Sequence, residues 1–172
     1  DGAKRLDAVK DLGAVHAWLR RQRWADSQRV ALVGGGSGGL LVTLALGQQP
    51  DLWRAAVAWG GPANLRTFLL AVGKEQQVLL ADEYGRPDVD ATSLEGTSPL
   101  ALVPQIRTPL FVFHGAGDAR LPRREPDSLV RALRQQKKIV EYFVASEEGA
   151  APTARRSTRL TGRRSTCGPS GA

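Results

Sequence analysis

Residues Arg29 to Leu46 read RVALVGGGSGGLLVTLAL, and the parsing of this stretch decides the fold. Val30-Ala31-Leu32-Val33 is a short apolar run of the kind that forms a buried strand. It enters a glycine cluster, Gly34-Gly35-Gly36-Ser37-Gly38-Gly39, and leaves through helix formers from Leu40 to Leu46. Strand, tight turn and helix therefore follow one another with a serine inside the turn. Within the cluster, Gly35-Gly36-Ser37-Gly38-Gly39 satisfies the pattern G-x-S-x-G.

That spacing has a chemical reason. A nucleophilic serine has to stand clear of a sheet on a sharp turn that holds its backbone in a strained conformation. Strand and helix then approach closely, and small residues two before and two after the serine avoid the clash. The helix behind Ser37 directs its positive end at the same place, and the Gly38 N–H is placed to donate to an oxyanion. The same residues also match G-x-G-x-x-G at Gly34, Gly36 and Gly39, a dinucleotide-binding turn. That alternative needs an acid at the end of the next strand, and Arg54 to Trp59 ends in Trp59-Gly60-Gly61 instead. No Lys-Ser/Thr pair follows the glycines, which excludes a phosphate-binding loop of the nucleoside triphosphatases. The nucleophile turn is favoured; a dinucleotide turn and a purely structural turn stay open on this stretch alone.

Outward from the turn, the chain is long enough for one domain, and its 42% hydrophobic content suffices for a core. No apolar run is long enough to span a membrane, and no signal peptide is visible. The chain opens with Asp1 rather than Met, so we expect a start upstream. One cysteine, Cys167, rules out an internal disulfide. The net charge of +7 is concentrated in a tail: residues 151–172 hold five arginines and no acid, leaving 19 basic and 17 acidic residues, a net +2, in residues 1–150. The basic character thus belongs to a solvated tail and not to a nucleic-acid-binding face.

In chain order, residues 3–23 carry Leu6, Val9, Leu12, Val15 and Leu19 at helical spacing. His16 lies beside that stripe and reads as packed or solvated. Strands are expected at 29–33, 54–59, 109–113 and 139–144, with helices after the first and over 126–137. This alternation implies a parallel sheet with crossover helices. Residues 63–98 read as an excursion with two short helices. Pro109 to Phe113 is a buried strand that runs into His114-Gly115-Ala116-Gly117-Asp118-Ala119-Arg120-Leu121-Pro122. Open parallel sheets carry their chemistry at the C-terminal ends of strands, which puts Asp118 on the same edge as Ser37. Asp118 alone also fits an Asx turn. His114 reads as a brace for the loop.

Taken together, Arg29–Leu40, Pro50–Trp53, Gly61–Phe68, Ser98-Pro99-Leu100, Pro109–Pro122 and Val140–Gly149 resemble the catalytic domain of the prolyl oligopeptidase family, serine peptidases of α/β-hydrolase fold. The resemblance covers roughly residues 1–149 and implies a partial hydrolase domain there. The fold class implied is α/β, the C-terminal half of an α/β-hydrolase, mostly parallel with helices on both faces. It places the nucleophile on Ser37, an oxyanion N–H on Gly38, where the family usually has tyrosine, and the acid on Asp118. It implies no metal and no organic cofactor, and a short peptide or acyl substrate; the charge and hydropathy patterns separately give the expectation of no nucleic-acid and no membrane partner, and a cytoplasmic location is the expectation. The oligomeric state stays open.

The family's general base stands in Glu-Gly-His after the last strand, whereas this chain has Glu148-Gly149-Ala150. Ser–His chemistry needs an imidazole to take the serine proton and return it to the leaving group. The expectation is therefore a peptidase domain that is inactive as written. A carboxylesterase and a non-catalytic binding module are the alternatives. From Ala150 onward periodicity vanishes and Arg, Ser, Thr, Gly, Ala and Pro dominate, so residues 150–172 read as a disordered or out-of-frame tail. A sheet of four strands is half of a hydrolase sheet, and its first strand is expected to leave an unpaired edge.

Overall fold

A computed structural model describes residues 6–146 and 149–150. Four strands, β1 (Ala31–Gly35), β2 (Ala55–Trp59), β3 (Leu110–Gly115) and β4 (Val140–Ala145), form one sheet in the order β1-β2-β3-β4. All three pairings are parallel. Each crossover carries helix: α2 (Ser37–Gln48) joins β1 to β2 and α7 (Arg124–Gln135) joins β3 to β4. Between β2 and β3 the chain makes α3 (Leu65–Ala71), α4 (Lys74–Tyr84), α5 (Ala91–Gly96) and α6 (Pro99–Leu102). A leading helix, α1 (Asp7–Leu19), precedes the sheet.

Period-2 patterning selects the covered face. Ala56, Ala58, Leu110 and Val112 are buried against Val42 and Leu46 of α2 and Leu129, Val130 and Leu133 of α7. Alanines in β2 let the helix layer come close. A second cluster joins Val9, Leu40, Leu44, Leu65, Leu69 and Leu94, linking α1, α2, α3 and α5. Helix α2 serves both clusters, and every residue from Gly39 to Gly47 except the half-buried Leu41 is buried. A helix apolar on every side is an interior helix, and Leu40 to Leu46 is that kind of run.

The expected parallel half-sheet with flanking helices is present. Its helical cover among the described residues is confined to one face, where helices on both were expected: Ala31, Val33, Ala55 and Phe111 on the other face are exposed, Val33 by 66%. Strand β1 is an edge, as anticipated. Residues 63–98 hold three helices, α3 to α5, one more than expected, because buried Leu94 and the fully buried Ser98 anchor α5 and the turn after it. The Ser98 hydroxyl accepts from the Leu65 N–H and donates to the Leu94 carbonyl.

The main departure concerns the first strand. It runs to Gly35 rather than ending at Val33, with Gly34 paired to Ala58 and Gly35 to Trp59. Glycine is depleted in strands, so the run reads as ended too early. Here the glycines are steric necessities: a Cβ on Gly35 would lie 2.1 Å from the Trp59 indole. Residues 147–148 and 151–172, including almost all of the basic tail, lie outside the described residues.

Candidate active site

Parallel strands end on one rim, and here that rim collects the β1–α2 turn, Gly60-Gly61 after β2, the 116–122 loop after β3 and Gly149-Ala150 after β4. The Ala116 N–H donates to the Ala145 carbonyl at 2.8 Å, so pairing of β3 and β4 continues into the site loops. The turn after β1 is tied down by the Gly36 N–H, which donates to the Trp59 carbonyl at 2.9 Å. Helix α2 then begins with Leu40 N–H donating to the Gly36 carbonyl.

Ser37 is the first residue of α2 and is exposed. The sharp bend falls one residue earlier. Gly36 has φ 59° and ψ −125°, and Lys137 is the only non-glycine at positive φ among the described residues. The strained conformation expected at Ser37 is therefore on Gly36. The close approach is centred there too. A Cβ on Gly34 would lie 2.4 Å from the Gly38 carbonyl oxygen, so the glycines that meet flank residue 36. Gly35 and Gly39, which flank Ser37, face Trp59 instead. A Cβ on Gly38 meets nothing within 4 Å.

Asp118 occupies the expected rim. Its Oδ1 accepts from the Arg120 N–H at 2.8 Å and the Leu121 N–H at 3.2 Å, an Asx-type turn that shapes the loop around the buried Leu121. Ala150 belongs to the same rim. A Cβ on Gly60, which sits at φ 64°, would be 3.2 Å from Gly36 N and 3.6 Å from the Ala150 carbonyl oxygen. Gly60 is thus a spacer between the elbow and the position where the general base was expected. Its role escapes sequence reading because it depends on three segments meeting.

Neither histidine serves as a rim imidazole by its placement. His16 lies at the opposite, N-terminal edge: its Nε2 is 3.1 Å from the Ser27 carbonyl and its ring meets Trp53 edge-on at 5.5 Å. His114 is 2% exposed, and its Nδ1 is buried without a hydrogen-bond partner. Burial holds its pKa below the ordinary histidine value, partly opposed by the Asp118 and Asp127 charges. Its ring lies buried in the β3 layer.

Glu125, in the first turn of α7, reads in sequence only as a helix-dipole complement. In the fold it is 1% exposed, and its carboxylate accepts from the Ala63 and Asn64 N–H groups at 3.1 and 3.0 Å and from the Thr67 hydroxyl at 2.6 Å. It fixes the segment leaving β2 and thereby the floor of the rim. Among the described residues no group of three or more His, Cys, Asp or Glu is placed to hold a metal ion.

A parallel sheet with a strand–turn–helix elbow and crossover helices in this order is the architecture of the α/β-hydrolases. The model of the prolyl oligopeptidase family matches residues 2–159, and the chain belongs to that family of serine peptidases. It is 34% identical over 152 residues to dipeptidyl aminopeptidase BIII of Pseudoxanthomonas mexicana, covering 84% of this chain and 21% of that protein. It is 27% identical over 132 residues to the human acylamino-acid-releasing enzyme, covering 73% of this chain and 18% of the enzyme. Among solved structures, uncomplexed Pyrococcus horikoshii acylaminoacyl peptidase superposes with a TM-score of 0.79 at 22% identity, over 90% of this chain and 25% of that one. The chain spans about a fifth of the length of the curated relatives it matches.

Proposed function

We propose that this chain forms the catalytic rim of a serine exopeptidase that releases N-terminal units, acylaminoacyl or dipeptidyl, from short peptides, and that the chain as it stands does not turn over. Membership in a peptidase family favours peptide over ester substrates. The observation that carries the reading is the rim itself: the elbow and Ala150 meet around Gly60, the Asp118 loop leaves the same edge of the sheet, His16 lies at the opposite edge and His114 is buried within β3. In acyl transfer the elbow hydroxyl attacks the scissile carbonyl, an imidazole takes its proton and returns it to the leaving amine, and a carboxylate orients that imidazole. Asp118 is the orienting carboxylate in this reading. The N-terminus of α2 steadies the developing oxyanion. No metal or organic cofactor enters these steps.

A binding module without turnover is the second reading, favoured by alanine at position 150. Both lead to one measurement. The chain is incubated with acylaminoacyl and dipeptidyl anilides, and release of aniline is followed. No rate above buffer is expected. Turnover that disappears in Asp118→Asn would overturn the claim of inactivity while leaving the peptidase assignment in place.

A further inference from the structure

We infer that the nucleophile's seat in this rim is residue 36, occupied by Gly36, and that Ser37, one residue further on, is not placed to act from it. The inference rests on the peptidase reading above and refines its site. Three observations converge. The backbone at Gly36, φ 59° and ψ −125°, is the strained bend that lifts a side chain clear of the sheet, and Ser37 does not share it. The close approach is centred on the same residue: a Cβ on Gly34, two before it, would lie 2.4 Å from the carbonyl oxygen of Gly38, two after it. A Cβ on Gly36 meets nothing within 4 Å, so the bend opens into free space.

The seat also lies beside position 150. Gly36 N and the Ala150 carbonyl oxygen both fall within 4 Å of a single point, the Cβ position of Gly60. A side chain on residue 36 and one on residue 150 project from neighbouring backbone at the same rim. The chain therefore lacks two groups rather than one: the hydroxyl at its seat and the imidazole next to it. Restoring the imidazole alone leaves the only elbow hydroxyl, that of Ser37, at the start of a helix and off the seat.

A fluorophosphonate probe separates these alternatives. In the labelling step a serine oxygen–phosphorus bond forms, the phosphorus–fluorine bond breaks, fluoride leaves, and the hydroxyl proton passes to the imidazole. Four forms of the full chain are compared: unaltered, Ala150→His, Gly36→Ser, and Gly36→Ser with Ala150→His. Labelled peptides are identified by mass spectrometry. The double variant is expected to label at position 36 faster than Ala150→His alone by on the order of a thousandfold, the scale on which loss of a triad member acts. Rapid labelling of Ser37 in Ala150→His would overturn the seat assignment and leave the peptidase reading intact. Folded variants that all stay unlabelled would overturn both.

A second measurement reads the seat without chemistry, should the double variant not fold. Gly36→Ala is expected to lower the urea unfolding midpoint, because alanine is strained at φ 59°, while Ser37→Ala leaves it unchanged. Equal midpoints for Gly36→Ala and the unaltered chain would overturn the inference.

Discussion

At the residue scale, the site is governed by what glycines allow. Gly34 and Gly38 look equivalent in sequence, yet only one has a neighbour at its missing Cβ. Gly34→Ala is expected to cost about 1–3 kcal/mol, because the Gly38 carbonyl is backbone and yields little. Gly38→Ala lies in the first turn of α2 with open space around it and should change stability by less than about 0.5 kcal/mol. Urea unfolding of the two variants checks the contrast. His114 supplies a pH signature. Its folded pKa lies below the ordinary 6.5 because of burial, so the folded state favours the neutral ring. That contribution is complete above about pH 6.5 and is lost as pH falls from there through the lower folded value. The urea midpoint should therefore drop between about pH 7 and pH 5, and the drop should be smaller in His114→Gln.

At the element scale, the rim depends on how the segment leaving β2 is held. That segment has irregular backbone, and its N–H groups need acceptors. Glu125 supplies them from α7, across 62 and 61 residues of sequence, while Asn64 caps α3 by accepting from the Thr67 N–H at 3.1 Å. Glu125→Ala leaves buried donors unsatisfied and should cost on the order of 3 kcal/mol, measured by denaturant unfolding. Asn64→Ala removes an ordinary cap and should cost about 1 kcal/mol. Larger loss in the first variant than in the second would show that the tertiary tie outweighs the local one.

At the scale of the whole molecule, the sheet buries one face under helices and leaves the other open among the described residues. Val33 is 66% exposed and Phe111 is 40% exposed on that open face, and among the described residues β1 is an edge strand. An apolar face joined to a free strand edge favours association between copies. Val33→Lys should shift sedimentation toward the monomer while changing unfolding free energy by less than about 0.5 kcal/mol. Undiminished association would place the contact elsewhere. No described helix is long and apolar enough to cross a membrane.

Much of this protein was legible from residue order alone. The apolar runs around Val33, Val57, Val112 and Tyr142 mark four strands, because burial in a parallel sheet demands continuous apolar stretches. The loop from His114 to Pro122 announces an acid at a strand's C-terminal end, and Ala150 shows that an imidazole is absent from the expected place. Pattern matching within six glycine-rich residues cannot find the bend, because glycine tolerates strand, turn and helix alike. The hydrogen-bond register with β2 carries β1 through Gly35 and sets the apex on Gly36. The same holds for Gly60 and Glu125: each acts on partners remote in sequence, and only packing brings those partners within reach.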